Sequence, residues 1–223
     1  ERLAIPVIHY RPRHMALPSS HPLAAGWDPH ALLKTADCVL VVDCDVPWVP
    51  AQGGPADTAH VVQLGPDPLW SDYPLRGFRS DLTLDCDTET GLDALALARD
   101  ELGTQPRALP PAHPAKPLPQ AAGNVITPRF VSSCLSSLLD ADTLVVNEYP
   151  LALEEVALEP GQYFSHPPSG GLGWGLGAAL GAKLAAPGKT VICAVGDWAY
   201  MFGNPTPAHW ISRAQGLPVL FLV

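Results

Sequence analysis

The 223 residues are short of charge. Only 16% are Asp, Glu, Lys or Arg, and the basic share is smaller still, 13 Lys and Arg against 22 Asp and Glu. The resulting formal charge of −9, with no basic cluster anywhere, excludes a nucleic-acid partner held by phosphate contacts. No apolar run reaches the length needed to span a membrane, and no signal peptide opens the chain, so no membrane partner is expected. The eight His residues show no HxxxH or HExxH spacing, which removes the usual zinc signals. The five cysteines, Cys38, Cys44, Cys86, Cys134 and Cys193, are odd in number and contain no CxxC pair. Reduced, mostly buried thiols in a cytoplasmic protein are the expectation. No internal repeat of 20–50 residues is evident.

What the chain does have is apolar content, 47%, arranged in short runs between helical patterns. Ile5–Tyr10 is expected as a strand. Asp28-Pro29 supplies an N-cap and a first-turn proline for a helix over HALLKTA. The run around Cys38–Val42 is β-branched and continuous, as in a parallel strand buried on both faces. His60–Gly65 and Leu82–Cys86 are further strands. Thr88–Leu102 is a helix with Leu92, Leu95, Ala96 and Leu102 near helical spacing. Trp48, in the Pro-bracketed loop after the first buried run, is expected to pack on the core.

The stretch Thr104–Gln120 is too rich in proline for a core element and marks an extended connector. The expected domains are therefore 1–103, a linker 104–120, and 121–223. The second unit starts at Asn124, with Thr127-Pro128 repeating the cap-and-proline device before a helix over RFVSSCLSSLL. A strand at Thr143–Tyr149, a helix at Gly175–Ala186, a strand at Thr190–Val195, a helix capped by Thr206-Pro207 and a last strand at Pro218–Val223 follow. Both units are thus expected to be α/β, doubly wound parallel-sheet structures. Both ends of the chain are expected to be cut from a longer protein.

The chemistry concentrates in Ser165–Pro207. A glycine-rich turn, Gly170 to Gly177, opens a small-residue helix, and Gly196-Asp197 tips the strand that follows. Glycines let backbone approach a ligand closely. A carboxylate at the carboxyl end of a parallel strand suits Mg²⁺, and Mg²⁺ suits phosphate. The glycine run departs from the dinucleotide fingerprint, because position 176 is Leu and the run follows a loop, and it lacks the Lys-Ser/Thr ending of a P-loop.

Together, GGLGWGLGAALGA at Gly170–Ala182 and GDWAYMFGNPTP from Gly196 resemble the pyrophosphate-binding half of thiamine-diphosphate-dependent enzymes of the acetolactate synthase and benzoylformate decarboxylase type. Residues 1–103 resemble most of that family's Rossmann-like middle domain. The resemblance implies thiamine diphosphate and Mg²⁺ as cofactors, with Asp197 as a metal ligand. Backbone groups of Gly196, Trp198 and Ala199 would lie along the diphosphate. Gly171 would meet the aminopyrimidine beside Gly173, and Leu172 would be the bulky prop beneath the cofactor. The loop Asn147–Pro150 at the tip of the unit's first strand, with Glu148 and Tyr149, would also approach the diphosphate.

The same resemblance implies a 2-oxo acid substrate (decarboxylation or carboligation) and at least a dimer. It also places the activating Glu outside this chain, along with an Asn ligand expected just after Val223. Gly177 stands where Pro is usual, and Trp198 where Gly is usual. Trp198 therefore raises an alternative, a degenerate non-catalytic paralogue serving as a binding or regulatory subunit. His166 is a candidate to face substrate, whereas His209 is expected to pack and His113 to be solvated. FAD or ADP binding by residues 1–103 has no residue support.

Overall fold

A computed structural model describes residues 3–111, 123, 125–167 and 170–223. The last nine positions of the proline-rich connector, His113 and Asn124 lie outside the described residues. The chain divides into two compact units: residues 1–10 with 25–110, and residues 11–24 with 111–223.

The first unit holds a three-stranded parallel sheet, β1 Cys38–Val42, β2 His60–Gly65 and β3 Leu82–Asp85, in the order β1-β2-β3. Only the middle strand is well buried. Val61 and Leu64 are enclosed, whereas Leu40 on β1 and Leu82 on β3 are exposed. The expectation that β1 is covered on both faces therefore fails, because β1 is an edge strand and its outer face has no cover.

Helix α1 is shorter than expected, His30–Leu33, and its cap position falls on Pro29 instead of Asp28, with no side-chain cap bond; Asp28 Oδ1 accepts from His30 N at 3.0 Å just ahead of it. Ile5–Tyr10 forms no strand; only Val7 makes an isolated bridge, its carbonyl accepting from Ala25 N at 2.7 Å. Helix α2, Thr88–Glu101, is capped by Asp87 and buries only Gly91, leaving Leu92, Leu95 and Leu102 exposed. The helical period correctly puts them on one side, but nothing in this unit covers that side. Trp48 does pack inward, edge-on to Phe78 at 5.2 Å and against Leu33, Val41 and Val61.

The second unit is a four-stranded parallel sheet of β4 Thr143–Glu148, β5 Tyr163–Ser165, β6 Thr190–Val195 and β7 Leu220–Leu222, in the order β5-β4-β6-β7. Its two central strands form the core. Every residue of β4 is buried, and so is every residue of β6 after Thr190. Helix α3, Pro128–Ser136, starts as expected, with Thr127 Oγ1 accepting from Phe130 N at 3.2 Å.

Helix α4, Trp174–Ala185, lies on β6 and β4 and buries Ala179 against Val146, Val191 and Val195. Full burial of each of those valines contributes about 1.5–3 kcal/mol. Its other buried apolar side chains, Leu176 and Leu180, meet Ala208 and Leu217 of the α6 region.

Besides two single turns of 3-10 helix, Pro50–Gln52 and Leu153–Glu155, the unexpected elements are strand β5 and helix α5 Asp197–Phe202. Helix α6 spans Pro205–Ala214 and begins before Thr206, so Thr206 is inside the helix and Asn204, left-handed at φ 52°, occupies the cap. All five cysteines are free; Cys193 is buried, but Cys38 and Cys134 are exposed, contrary to the expected burial. Among the described residues no helix is long and apolar enough to cross a membrane.

Candidate cofactor site

The strand order fixes where a crevice opens. From β4 the chain moves to β5 on one side, then through α4 to β6 on the other. The carboxyl ends of β4 and β6 therefore border the point where strand order reverses, the usual ligand position in an open parallel sheet. Glu148 ends β4, Gly196-Asp197 follows β6, and the glycine turn leads into α4 beside them.

Glu148 is the buried anchor of this arrangement. Its side chain is fully enclosed, and its two carboxylate oxygens accept from Gly173 N at 2.7 Å and Gly175 N at 2.6 Å. These amides belong to the first turn of α4, where backbone N–H groups lack helical partners and favour a negative charge. Gly175 is required by the contact, since a Cβ there would lie 2.9 Å from Glu148 Oε2 and 3.2 Å from Cys193 Sγ.

Gly173 carries φ 90°, and a Cβ on it would come within 2.8 Å of Gly203 N, so the turn is also pressed against the end of α5. Sequence reasoning placed Glu148 on the diphosphate; the structure places its carboxylate against the glycine turn. The signal that could have found this is a carboxylate at the end of an otherwise apolar strand, which needs donors when buried.

The remaining candidates lie around this clamp. At Gly171 and Gly196 no heavy atom comes within 4 Å of where a Cβ would stand, so both backbones border open space. Leu172 is half-exposed on the turn between them. Asp197 is exposed, and its Oδ1 accepts from Trp198 N at 2.8 Å. Ala199 is buried and turns α5 onto the core, which sends Trp198 outward to 80% exposure. Among the described residues no cluster of three or more His, Cys, Asp or Glu could hold a metal, so Asp197 belongs to no such cluster.

Tyr149, left-handed at φ 78° and mostly exposed, meets His166 with ring centroids 4.1 Å apart and planes tilted by 59°, and His166 in turn lies 6.4 Å from Trp174 at the start of α4. His166 is held below the usual imidazole value by burial, with Glu148 pulling it up and Arg11 pushing it down. His209 packs edge-on to Phe221 at 5.0 Å and bonds Tyr200 Oη at 2.6 Å, as a packing residue.

Comparison with known proteins places the chain among thiamine-diphosphate enzymes. Residues 151–223 match the family described as thiamine pyrophosphate enzyme, C-terminal TPP binding domain. The chain is 31% identical over 201 residues to benzoylformate decarboxylase from Pseudomonas aeruginosa, covering 86% of this chain and 36% of that protein. Among solved structures it is similar to the thiamine diphosphate-dependent 4-hydroxybenzoylformate decarboxylase of Rhodococcus jostii RHA1, with a TM-score of 0.80, 25% identity, and coverage of 99% of this chain and 43% of that one. It shares the fold of the benzoylformate decarboxylase of Polynucleobacter necessarius, with a TM-score of 0.76, 20% identity, and the same coverage. The chain thus spans under half the length of the relatives it matches, and its residues 151–223 belong to the C-terminal TPP-binding domain family of thiamine pyrophosphate enzymes.

Proposed function

We propose that the chain is the part of a cytoplasmic thiamine-diphosphate- and Mg²⁺-dependent enzyme that holds the diphosphate and its metal, and that the whole enzyme decarboxylates a 2-oxo acid or joins it to a second carbonyl compound. The observation that carries this reading is the pairing across β4 and β6: a glycine turn clamped by Glu148 faces open space at Gly171, while Asp197 presents an exposed carboxylate at the next strand end.

The residues fit the group. Mg²⁺ is commonly bound by one or two carboxylates together with substrate phosphates and waters, so a single Asp197 suffices on the protein side. The Gly171 and Gly196 backbones have room beside them for a ligand. Asp197 would hold the metal, the amides of Trp198 and Ala199 would lie along the diphosphate, and Leu172 would support the cofactor from below. Thiamine diphosphate would supply the carbon nucleophile and electron sink that the reaction needs. Residues 1–103 would be a partial middle domain and 121–223 a partial diphosphate domain, working in an oligomer of at least two subunits.

Calorimetric titration of thiamine diphosphate into the chain, with Mg²⁺ and then with EDTA, tests the reading. Metal-dependent binding that Asp197→Asn weakens at least tenfold is expected. Binding equal with EDTA, or untouched by Asp197→Asn, refutes it. The non-catalytic alternative is favoured by one observation, the bulky Trp198 directly after Asp197. Absence of binding in the wild type with recovery in Trp198→Gly would select it.

A further inference from the structure

Helix α5 carries Asp197 at its first position, yet little of it is buried. It is six residues long, too short to be stable by itself, and of its side chains only Ala199 is enclosed, with Trp198, Met201 and Phe202 all exposed. Its place must therefore be set by contacts at its end and along its flank.

The end contact is backbone on backbone. Gly203 follows α5, and a Cβ on it would overlap Leu176 Cδ1 and stand 2.9 Å from Gly173 Cα. Gly203 has an ordinary φ of −69°, so a glycine is needed there for space and not for conformational freedom. Gly173 is thus gripped from two sides, by Glu148 through its N–H and by Gly203 through its Cα. The flank contact is Tyr200, whose Oη lies 2.6 Å from His209 Nε2 on α6. Both rings meet Phe221 of β7, with centroids 6.3 and 5.0 Å away.

We propose that Gly203 and the Tyr200–His209 pair are positioning residues: they lock α5 to the glycine turn and to α6, and so fix the Asp197 carboxylate relative to the Gly171 backbone. The consequence for the cofactor rests on the thiamine-diphosphate reading; the locking of α5 does not.

Two measurements on the 223-residue chain keep these apart. Without cofactor, hydrogen exchange at the Tyr200 and Gly203 amides, which donate to the Gly196 and Ala199 carbonyls at 2.8 and 2.9 Å, reads α5 directly. Gly203→Ala should lower protection at Tyr200 at least about fivefold through overlap. Tyr200→Phe should lower it at Gly203 about two- to tenfold, the factor for one net hydrogen bond. His209→Gln, which keeps a hydrogen-bonding group for Tyr200, should stay closer to wild type than His209→Ala. With thiamine diphosphate, calorimetry reads the Mg²⁺ concentration that gives half-maximal binding. Gly203→Ala and Tyr200→Phe should each raise it at least about threefold. The same two substitutions made in Asp197→Asn should weaken binding no further, because they act through that carboxylate. Gly188→Ala, on the exposed turn after α4, should leave both readouts unchanged.

Wild-type protection in Gly203→Ala or Tyr200→Phe overturns the locking. Lower protection with an unchanged Mg²⁺ requirement, or an equal loss in the Asp197→Asn background, overturns the positioning of the carboxylate. If Gly203→Ala does not fold, Tyr200→Phe, which keeps its ring on Phe221, decides both. A wild-type chain that binds no thiamine diphosphate with Mg²⁺ refutes the proposed function and the cofactor half of this inference with it, while exchange still decides the locking.

Discussion

Replacing Glu148 by glutamine changes the side-chain volume very little but removes a buried charge and one acceptor. In the native chain, two amides of the α4 first turn donate to two oxygens at 2.7 and 2.6 Å. A hydrogen bond to a charged group contributes about 1.5–3 kcal/mol. In the glutamine variant one oxygen becomes an NH₂ group that meets a backbone N–H, donor against donor. One bond is then lost and the other falls to neutral strength, so the turn should loosen by about 2–4 kcal/mol. Glu148→Ala goes further, because it leaves two buried amides unpaired at about 1–3 kcal/mol each and adds a cavity, for a total of about 4–6 kcal/mol. That is a large share of the 5–15 kcal/mol typical of a folded domain.

Hydrogen exchange at the Gly173 and Gly175 amides reads this locally, without assuming that the two units unfold together. The glutamine variant should exchange these amides roughly 30- to 700-fold faster, the factor that corresponds to about 2–4 kcal/mol, with far smaller changes on α3. Urea unfolding should show the same loss as a lower midpoint at unchanged slope. If Glu148→Gln leaves both amides within about fivefold of wild type, a difference of about 1 kcal/mol, then the carboxylate does not hold the turn and the clamp is wrong.

Two glycines of the same run should respond in opposite directions. Gly173→Ala forces a Cβ to within 2.8 Å of Gly203 N at φ 90°, and should destabilise by about 2–5 kcal/mol from left-handed strain plus overlap. Gly177→Ala, inside α4 with no heavy atom within 4 Å of the new Cβ, should stabilise by up to about 1 kcal/mol. Matched urea curves check both. His9 and His166 are both lowered from 6.5 by burial, so the unfolded chain takes up protons first and stability should fall as pH drops below about 6.5, levelling once the folded imidazoles also titrate. A urea midpoint that stays flat from pH 7 to 5, or an unchanged pH dependence of that midpoint in the double variant His9→Asn, His166→Asn, contradicts this. Burial pushes the Cys193 thiol up to about 12, so maleimide at pH 8 should label exposed Cys38 and Cys134 and reach Cys193 only after unfolding. Early labelling of Cys193 by peptide mapping would contradict its enclosure.

Elements with a complete local signal were legible in the sequence. β6 is a continuous apolar run followed by Gly196, β2 an apolar-rich run ending in Gly65, and α3 carries its own cap and proline. β5 was not legible because it is three residues long, and it is defined by pairing with β4 more than by its own pattern. α5 was hidden for a different reason: its large side chains Trp198, Met201 and Phe202 point outward and only Ala199 is buried, the reverse of the usual amphipathic signal. Leu92 and Leu95 on α2 show the complementary limit, since periodicity tells which residues share a face but not whether this chain covers it. In the site, glycine and carboxylate spacing located Gly171 on the turn before α4 and Asp197 just after β6. The role of Glu148 was not, because it depends on which amides lie opposite a strand end once the helix is docked.

That role decides how a diphosphate can be held. The first turn of α4 would otherwise be the natural anion site of the unit, but Glu148 already takes the amides of Gly173 and Gly175. A second anion brought to those donors would face a buried carboxylate with no cation between them. Lys183 offers no relief, since its ammonium bonds the Pro187 and Lys189 carbonyls at the far end of α4. The proposed diphosphate must therefore lie on the β6 side, where Asp197 adds another negative charge. Two anionic groups within a few ångströms repel unless a cation bridges them. On this reading the divalent metal is the charge that makes the site bind at all, so affinity for thiamine diphosphate should collapse with EDTA in the wild type. Thiamine monophosphate, which carries less charge to be bridged, should lose proportionally less.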